Sequence, residues 1–527
     1  MIRQAAVALL AMAAVMGCSR GPDTAASAPT AAPAPEGSLS ILAGSELKDL
    51  ESEIVDAGRA AGVSVKLTYS GTLDMVDRIN AGEDFDAILP PNGAYPSLAL
   101  TQKPLAKEKL FYSRVTLGVK QSRAKSLGWD SKAPTWSEIT QAVKKGKLTY
   151  AMTNPTSSNT GMSALFAVAA SIAKKTEDLS ADEVDRQALK DFLAGQKLTA
   201  GSSGWLADSY LREQDRLDGM INYEAVLLRL NERPELHEPL TLIYPLDGVI
   251  SADYPLMLIH EPRRAAYDKL VAALKADAFQ ANALSHAYLR PSNPSVSRSP
   301  KLEGGAVAEL AFPNRLEVID AVLLAYQGEL RRPSTSIYLL DTSGSMEGDR
   351  IVQLRQALEV LTGAESGSVT SRFVRFQNRE RVVLLAFSNE AGSPVDFSFD
   401  DPKSQAATFA DVRGYAENLQ ARGGTAIYSS LLEAYRLAAV EHRRDPDRFI
   451  SVVLLTDGLN RQGVSFNEFR KMLADQPPGE VVRTFPILFG EASSRELEDV
   501  AQLTGGRAFE GRKSNLAAVF KEIRGYQ

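Results

Sequence analysis

Ile337-Tyr338-Leu339-Leu340-Asp341-Thr342-Ser343-Gly344-Ser345-Met346 is an apolar run that passes without a break into a polar loop. Such a run reads as a strand buried on both faces of a parallel sheet. Asp341 ends it, and sites in open α/β sheets form just beyond the carboxyl ends of strands. A second apolar run, Val452 to Leu455, ends in Thr456-Asp457-Gly458 and puts Asp457 on the same sheet edge. Between them, Gly423-Gly424-Thr425 opens a helix and adds a hydroxyl at its start. Asp341, Ser343, Ser345, Thr425 and Asp457 are therefore expected to converge as a hard, oxygen-only site. Mg²⁺ suits it, being small, octahedral and content with few carboxylates, and Mn²⁺ or Ca²⁺ are the alternatives. Serine and threonine are neutral ligands, so the ion stays under-neutralised and has reason to accept an acidic group from outside. Two plainer readings stay open: Asp341 caps its own loop, or the metal is purely structural.

Working outward, strands and helices alternate on both sides of this run. Strands are expected at 336–340, 381–387, 450–455 and 481–488, and helices at 349–364 and 425–441. Ser465-Phe466-Asn467-Glu468 and Ser493-Ser494-Arg495-Glu496 have the form of capping boxes. The first loop resembles the Asp-x-Ser-x-Ser motif of von Willebrand factor A (VWA) domains, with Thr425 matching the second loop and Asp457 the third. The resemblance covers about 334–527, including Gly505-Gly506-Arg507-Ala508-Phe509 before the last helix. It implies a doubly wound, Rossmann-like fold and a metal-ion-dependent adhesion site. It also implies metal-dependent binding of a protein partner that offers an acidic residue, without catalysis.

Upstream, residues 38–290 form another alternating block. Strands are expected at 39–42, 63–69 and 85–89, and helices at 45–61 and 72–81. Thr135-Trp136-Ser137-Glu138 and Ser180-Ala181-Asp182-Glu183 are capping boxes that begin helices. Hydroxyls and free backbone N–H groups at helix starts make an anion pocket, which singles out Ser45, Ser70, Thr72, Thr153, Ser157, Asn159 and Thr160. A helix is expected to open at Gly161, capped by Thr160 or Asn159. Ser70-Gly71-Thr72, Phe85-Asp86-Ala87-Ile88, Thr153-Asn154-Pro155, Ser157 to Gly161, Asn222-Tyr223-Glu224 and Tyr244 to Gly248 resemble type II periplasmic solute-binding proteins. That resemblance implies two lobes joined by hinge strands, with a small solute between them. An oxyanion, a sugar or another small polar solute all suit the hydroxyls. Alternatively the same groups are plain N-caps in a closed relic that presents the C-terminal domain.

Residues 291–333 connect the blocks through a Pro/Ser/Gly-rich stretch and a helix at about 314–330. Arg331-Arg332-Pro333 is a short link that predicts close packing, with both arginines facing solvent. At the other end, Arg3 and the twelve apolar residues 5–16 read as a signal peptide, too short to span a bilayer. Val15-Met16-Gly17-Cys18 resembles a bacterial lipobox, making Cys18, the single cysteine, the lipidation site at residue 18. Residues 19–37, rich in Ala, Pro and Ser, form a tether. The expected location is the cell envelope, lipid-anchored and facing the periplasm, and Ser19 favours the outer membrane. A net charge of −6 over 527 residues gives no reason to expect nucleic acid. Four scattered histidines exclude a His-based metal cluster. Walker A, Gly-x-Ser-x-Gly, His-Glu-x-x-His and Cys–His signatures are missing, so no enzyme is expected.

Overall fold

The computed structural model describes residues 37–302, 305–363, 371–476, 481–490, 494–511 and 516–527. The signal peptide, Cys18, all of the tether but its last residue, and Ser493 lie outside the described residues.

The N-terminal block forms two sheets. In the first, Ser38–Ala43 lies between the parallel strands Ser64–Tyr69 and Ala87–Leu89. Pro255–Leu258 then joins antiparallel, followed by Ala106–Lys109. The second sheet runs Ser251–Ala252, Phe111–Lys120, Gly219–Tyr223, Tyr150–Thr153 and Gln196–Ala200. The chain thus leaves the first lobe at Lys109 and returns near Pro255, and Arg290–Pro291 pairs back onto Phe111–Tyr112. Two lobes and a set of crossing strands result.

The C-terminal block is one six-stranded sheet ordered Val395–Ser398, Glu380–Phe387, Ser334–Asp341, Phe449–Thr456, Arg483–Leu488 and Phe509–Glu510. All pairs are parallel except the edge strand Val395–Ser398. Side chains alternate across it as a period of two requires. Ile337, Leu339, Val452 and Leu454 pack under the helices Ile427–Arg444 and Phe466–Ala474. Tyr338, Leu340, Val453 and Leu455 face the opposite way, under Asp349–Val360 and Leu516–Arg524.

That second face does not end at the domain. Leu198, Ala200, Leu206, Tyr210 and Met220 of the second lobe belong to the same buried cluster as Phe485, Phe509, Phe520 and Tyr526. Gly201 makes room: a Cβ there would lie 2.5 Å from the Tyr526 ring. Arg483 pairs with Glu213 of the second lobe at 2.6 Å.

Several local expectations need correction. Residues 45–50 form a 3-10 helix and the α-helix begins at Glu51. The Ser180 box caps only a 3-10 turn, and the helix starts at Arg186 with Asp185 as its cap. The helix at the second-lobe loop opens at Asn159, after Ser158, not at Gly161. Thr425 precedes its helix, which starts at Ile427. Arg331 is not solvated: it is 6% exposed and shares Glu380 with Arg524. Burial works against the Glu380 charge, but the Arg524 and Arg331 guanidiniums outweigh it and hold that carboxyl below its ordinary range.

Candidate metal site and inter-lobe cleft

Three loops meet at the carboxyl edge of the C-terminal sheet. Asp341 is fully buried; its Oδ1 accepts from the Ser343 N–H at 2.8 Å and its Oδ2 from Thr456 Oγ1 at 2.6 Å. Ser343 Oγ lies 3.0 Å from Ser345 Oγ, which donates to Asp457 Oδ1 at 2.7 Å. The second loop is tied to the first by the Gly344 and Arg422 N–H groups, which donate to Gly423 O at 3.0 Å and Thr342 O at 2.7 Å. The Arg461 N–H donates to Thr425 O at 2.8 Å and ties the second loop to the third. A Cβ on Gly458 would lie 3.5 Å from Ser345 Oγ and 3.7 Å from Thr425 Oγ1, so these hydroxyls flank the third loop.

Burial pushes the Asp341 carboxyl upward and the nearby Asp457 charge adds to this, against hydrogen bonds from Ser343 and Thr456. Two buried carboxylates side by side call for a cation. Arg350 supplies one: its guanidinium pairs with Asp457 Oδ2 and donates to Ser345 O at 3.1 Å. Asp341 has no such counter-ion among the described residues. Nor does any group of three or more His, Cys, Asp or Glu occur there that could hold a metal. The donors at this edge are two carboxylates with hydroxyls, a set that fits Mg²⁺. Sequence reasoning passed over Arg350, although its place nine residues after Asp341 on the helix leaving the first loop was a signal.

In the N-terminal block the lobes are closed on each other. A Cβ on Gly71 would lie 2.2 Å from Ser157 O, so the first-lobe loop that carries Ser70 and Thr72 meets the second lobe at Ser157. Other chosen hydroxyls turn inward. Thr153 Oγ1 lies 2.8 Å from Thr160 Oγ1 and accepts from the Gly161 N–H at 2.7 Å. Ser157 Oγ donates to Asn154 O and Gly201 O, both at 3.2 Å. Ser70 donates to Asp74. Ser45 approaches the second lobe through its carbonyl, near Gly204.

The family profile described as bacterial extracellular solute-binding protein matches residues 39–288. The profile described as von Willebrand factor type A domain matches residues 337–522. The chain joins a solute-binding domain to a VWA domain. Inter-alpha-trypsin inhibitor heavy chain H4 of Sus scrofa is 33% identical over 129 residues, 24% of this chain and 12% of that protein. The human protein of the same name is 30% identical over 137 residues, 25% of this chain and 13% of its own length. The chain thus spans about an eighth of the curated relatives it matches. Among solved structures, the periplasmic binding protein AfuA from Actinobacillus pleuropneumoniae aligns with 56% of this chain and 99% of its own, at 13% identity and a TM-score of 0.44. A von Willebrand factor type A protein from Catenulispora acidiphila aligns with 37% of this chain and 42% of its own, at 18% identity and a TM-score of 0.30. The three loops described above belong to the VWA domain, and the closed lobes to the solute-binding domain.

Proposed function

We propose that this protein binds a protein partner in the bacterial envelope through a Mg²⁺-dependent adhesion site in its VWA domain. Asp341, Ser343, Ser345, Thr425 and Asp457 would hold the ion. An ion held there would supply Lewis-acid attraction for a carboxylate of the partner. The observation that carries this reading is the convergence of three loops around a buried, charge-deficient pair of aspartates. Asp341 would give the ion a desolvated carboxylate, the hydroxyls would add neutral donors, and Arg350 would compete with the ion for Asp457. Export and acylation at Cys18 would place the site in the periplasm on a lipid anchor.

The test is capture from an envelope extract with the full-length chain as bait, in Mg²⁺, in EDTA, and as Asp341→Ala in Mg²⁺. A protein retained only by the wild type in Mg²⁺ is the expected result. Capture that ignores both EDTA and Asp341→Ala would overturn the adhesion mechanism.

A further inference from the structure

A small cavity of about 10 Å³ remains between the closed lobes, lined by Glu46, Leu47, Leu50, Tyr223, Val226 and Tyr254, among others. Its chemistry is uneven. Glu46 is buried at 8% exposure, and its Oε2 accepts from Ser203 Oγ of the second lobe at 3.1 Å. Glu46 Oε1 and the Tyr254 hydroxyl face each other without closing a well-formed hydrogen bond, and Asn159 Oδ1 is left without a donor. Asn159 turns its Nδ2 to the Tyr223 hydroxyl at 3.0 Å. The Tyr223 and Tyr254 rings lie 6.0 Å apart. Arg229 is the cation at hand, and it is engaged at the mouth with Asp49 at 3.2 Å and Ala287 O at 2.6 Å.

An oxyanion placed here would meet a carboxylate at close range with no free cation to balance it. A cationic donor would satisfy Glu46 Oε1, lie against two tyrosine rings, and set its methylene groups on Leu47, Leu50 and Val226. We infer that the inter-lobe cleft is a site for a small organic ammonium ion, with Glu46 as its counter-ion. Binding requires the lobes to part, which breaks the Arg229–Asp49 pair and the Glu46–Ser203 hydrogen bond. Burial, the largest influence on Glu46, raises its proton affinity in the empty cleft.

The experiment is a thermal-shift and calorimetric titration of the full-length chain. Methylammonium and ethylammonium chloride are compared with sodium chloride, sulfate and phosphate at matched ionic strength. The expected result is a saturable rise in Tm, and a saturable heat of binding, with the ammonium salts alone. Glu46→Gln should weaken the ammonium response at least tenfold. Should that variant not fold, Tyr254→Phe, which keeps the ring and removes one acceptor, should weaken it several-fold. Stabilisation by sulfate or phosphate, an ammonium response unchanged in both variants, or no response to either ammonium would each overturn the assignment.

Discussion

Asp341 and Glu46 are both buried carboxyls whose proton affinity burial raises, yet only one of them could be read from the sequence. Asp341 announces itself because its partner Ser343 and the neighbouring hydroxyl of Ser345 are two and four residues away, on the loop its own strand creates. Glu46 reads as an ordinary acid in a first helical turn, because what buries it is Ser203 and its neighbours, far along the chain. Arg350→Gln removes the cation beside Asp457. Metal affinity should rise, by roughly tenfold for one nearby half-screened charge. A Mg²⁺ titration followed by Tm checks this, and weaker binding would mean that Arg350 positions Asp457 instead of competing with the ion. Burial makes the folded protein hold the Glu46 proton more tightly than the unfolded chain does. Its contribution is fully present below the ordinary glutamate value of 4.5 and is lost as pH rises through the higher folded value. Asp49 and Arg229 at the mouth and Tyr223, Tyr254 and Ser203 inside are the groups that face it. Glu46→Gln should therefore gain on the wild type as pH climbs from 4 to 8, read from urea midpoints. A variant that loses ground at pH 8 would contradict this.

Among the elements, those with local signals were legible and those set by packing were not. The 381–387 and 450–455 strands carry near-continuous apolar runs, and the Thr135 and Ser465 boxes cap helices as their spacing implies. Val395–Ser398, by contrast, is an exposed antiparallel edge with one buried residue, Phe397, and gives little pattern to read. The helix Gln405–Glu417 was missed for a related reason: only Phe409, Val412 and Ala416 are buried along it. Gly71 shows how tightly the lobes meet. Its φ is −73°, which any residue adopts, so the glycine serves close approach and not backbone freedom. Gly71→Ala would drive a methyl into Ser157 O. The expected cost is about 1–3 kcal/mol, that of overpacking a filled interior, with the lobes held apart. Urea unfolding measures the cost, and small-angle scattering should report a larger radius of gyration. An unchanged radius would mean that the loop at Ser157 yields instead.

At the scale of the whole molecule, the close packing implied by the short Arg331-Arg332-Pro333 link is present, but the form it takes could not be read from any one segment. The second lobe and the VWA domain share a core, and several polar groups beside it bond to one another. Arg524 and Arg331 both serve Glu380, and Gln527 Oε1 accepts from Arg524 at 2.9 Å and from Tyr338 at 3.3 Å. Asn154 of the second-lobe loop donates to Arg524 O at 3.4 Å, and Gln327 of the connector donates to Thr156 of the same loop at 2.7 Å. A domain boundary crossed by an aromatic core, by the Arg483–Glu213 pair and by these hydrogen bonds unfolds on both sides together, since exposing either face strands the other's groups. The described chain should therefore melt in one calorimetric transition with equal calorimetric and van't Hoff enthalpies. Mg²⁺ bound at the VWA edge should move that whole transition upward, by about 2.7 kcal/mol at a hundredfold excess over Kd. Tyr526→Ala removes the ring that fills the space over Gly201 and packs on Phe485 and Phe509. It should cost about 3–5 kcal/mol, the range for large aromatic residues in a core, and split the transition in two. Only the VWA transition would then respond to Mg²⁺. Two independent transitions in the wild type would show that the shared core does not couple the domains, and that Tyr526 is merely a surface contact between them.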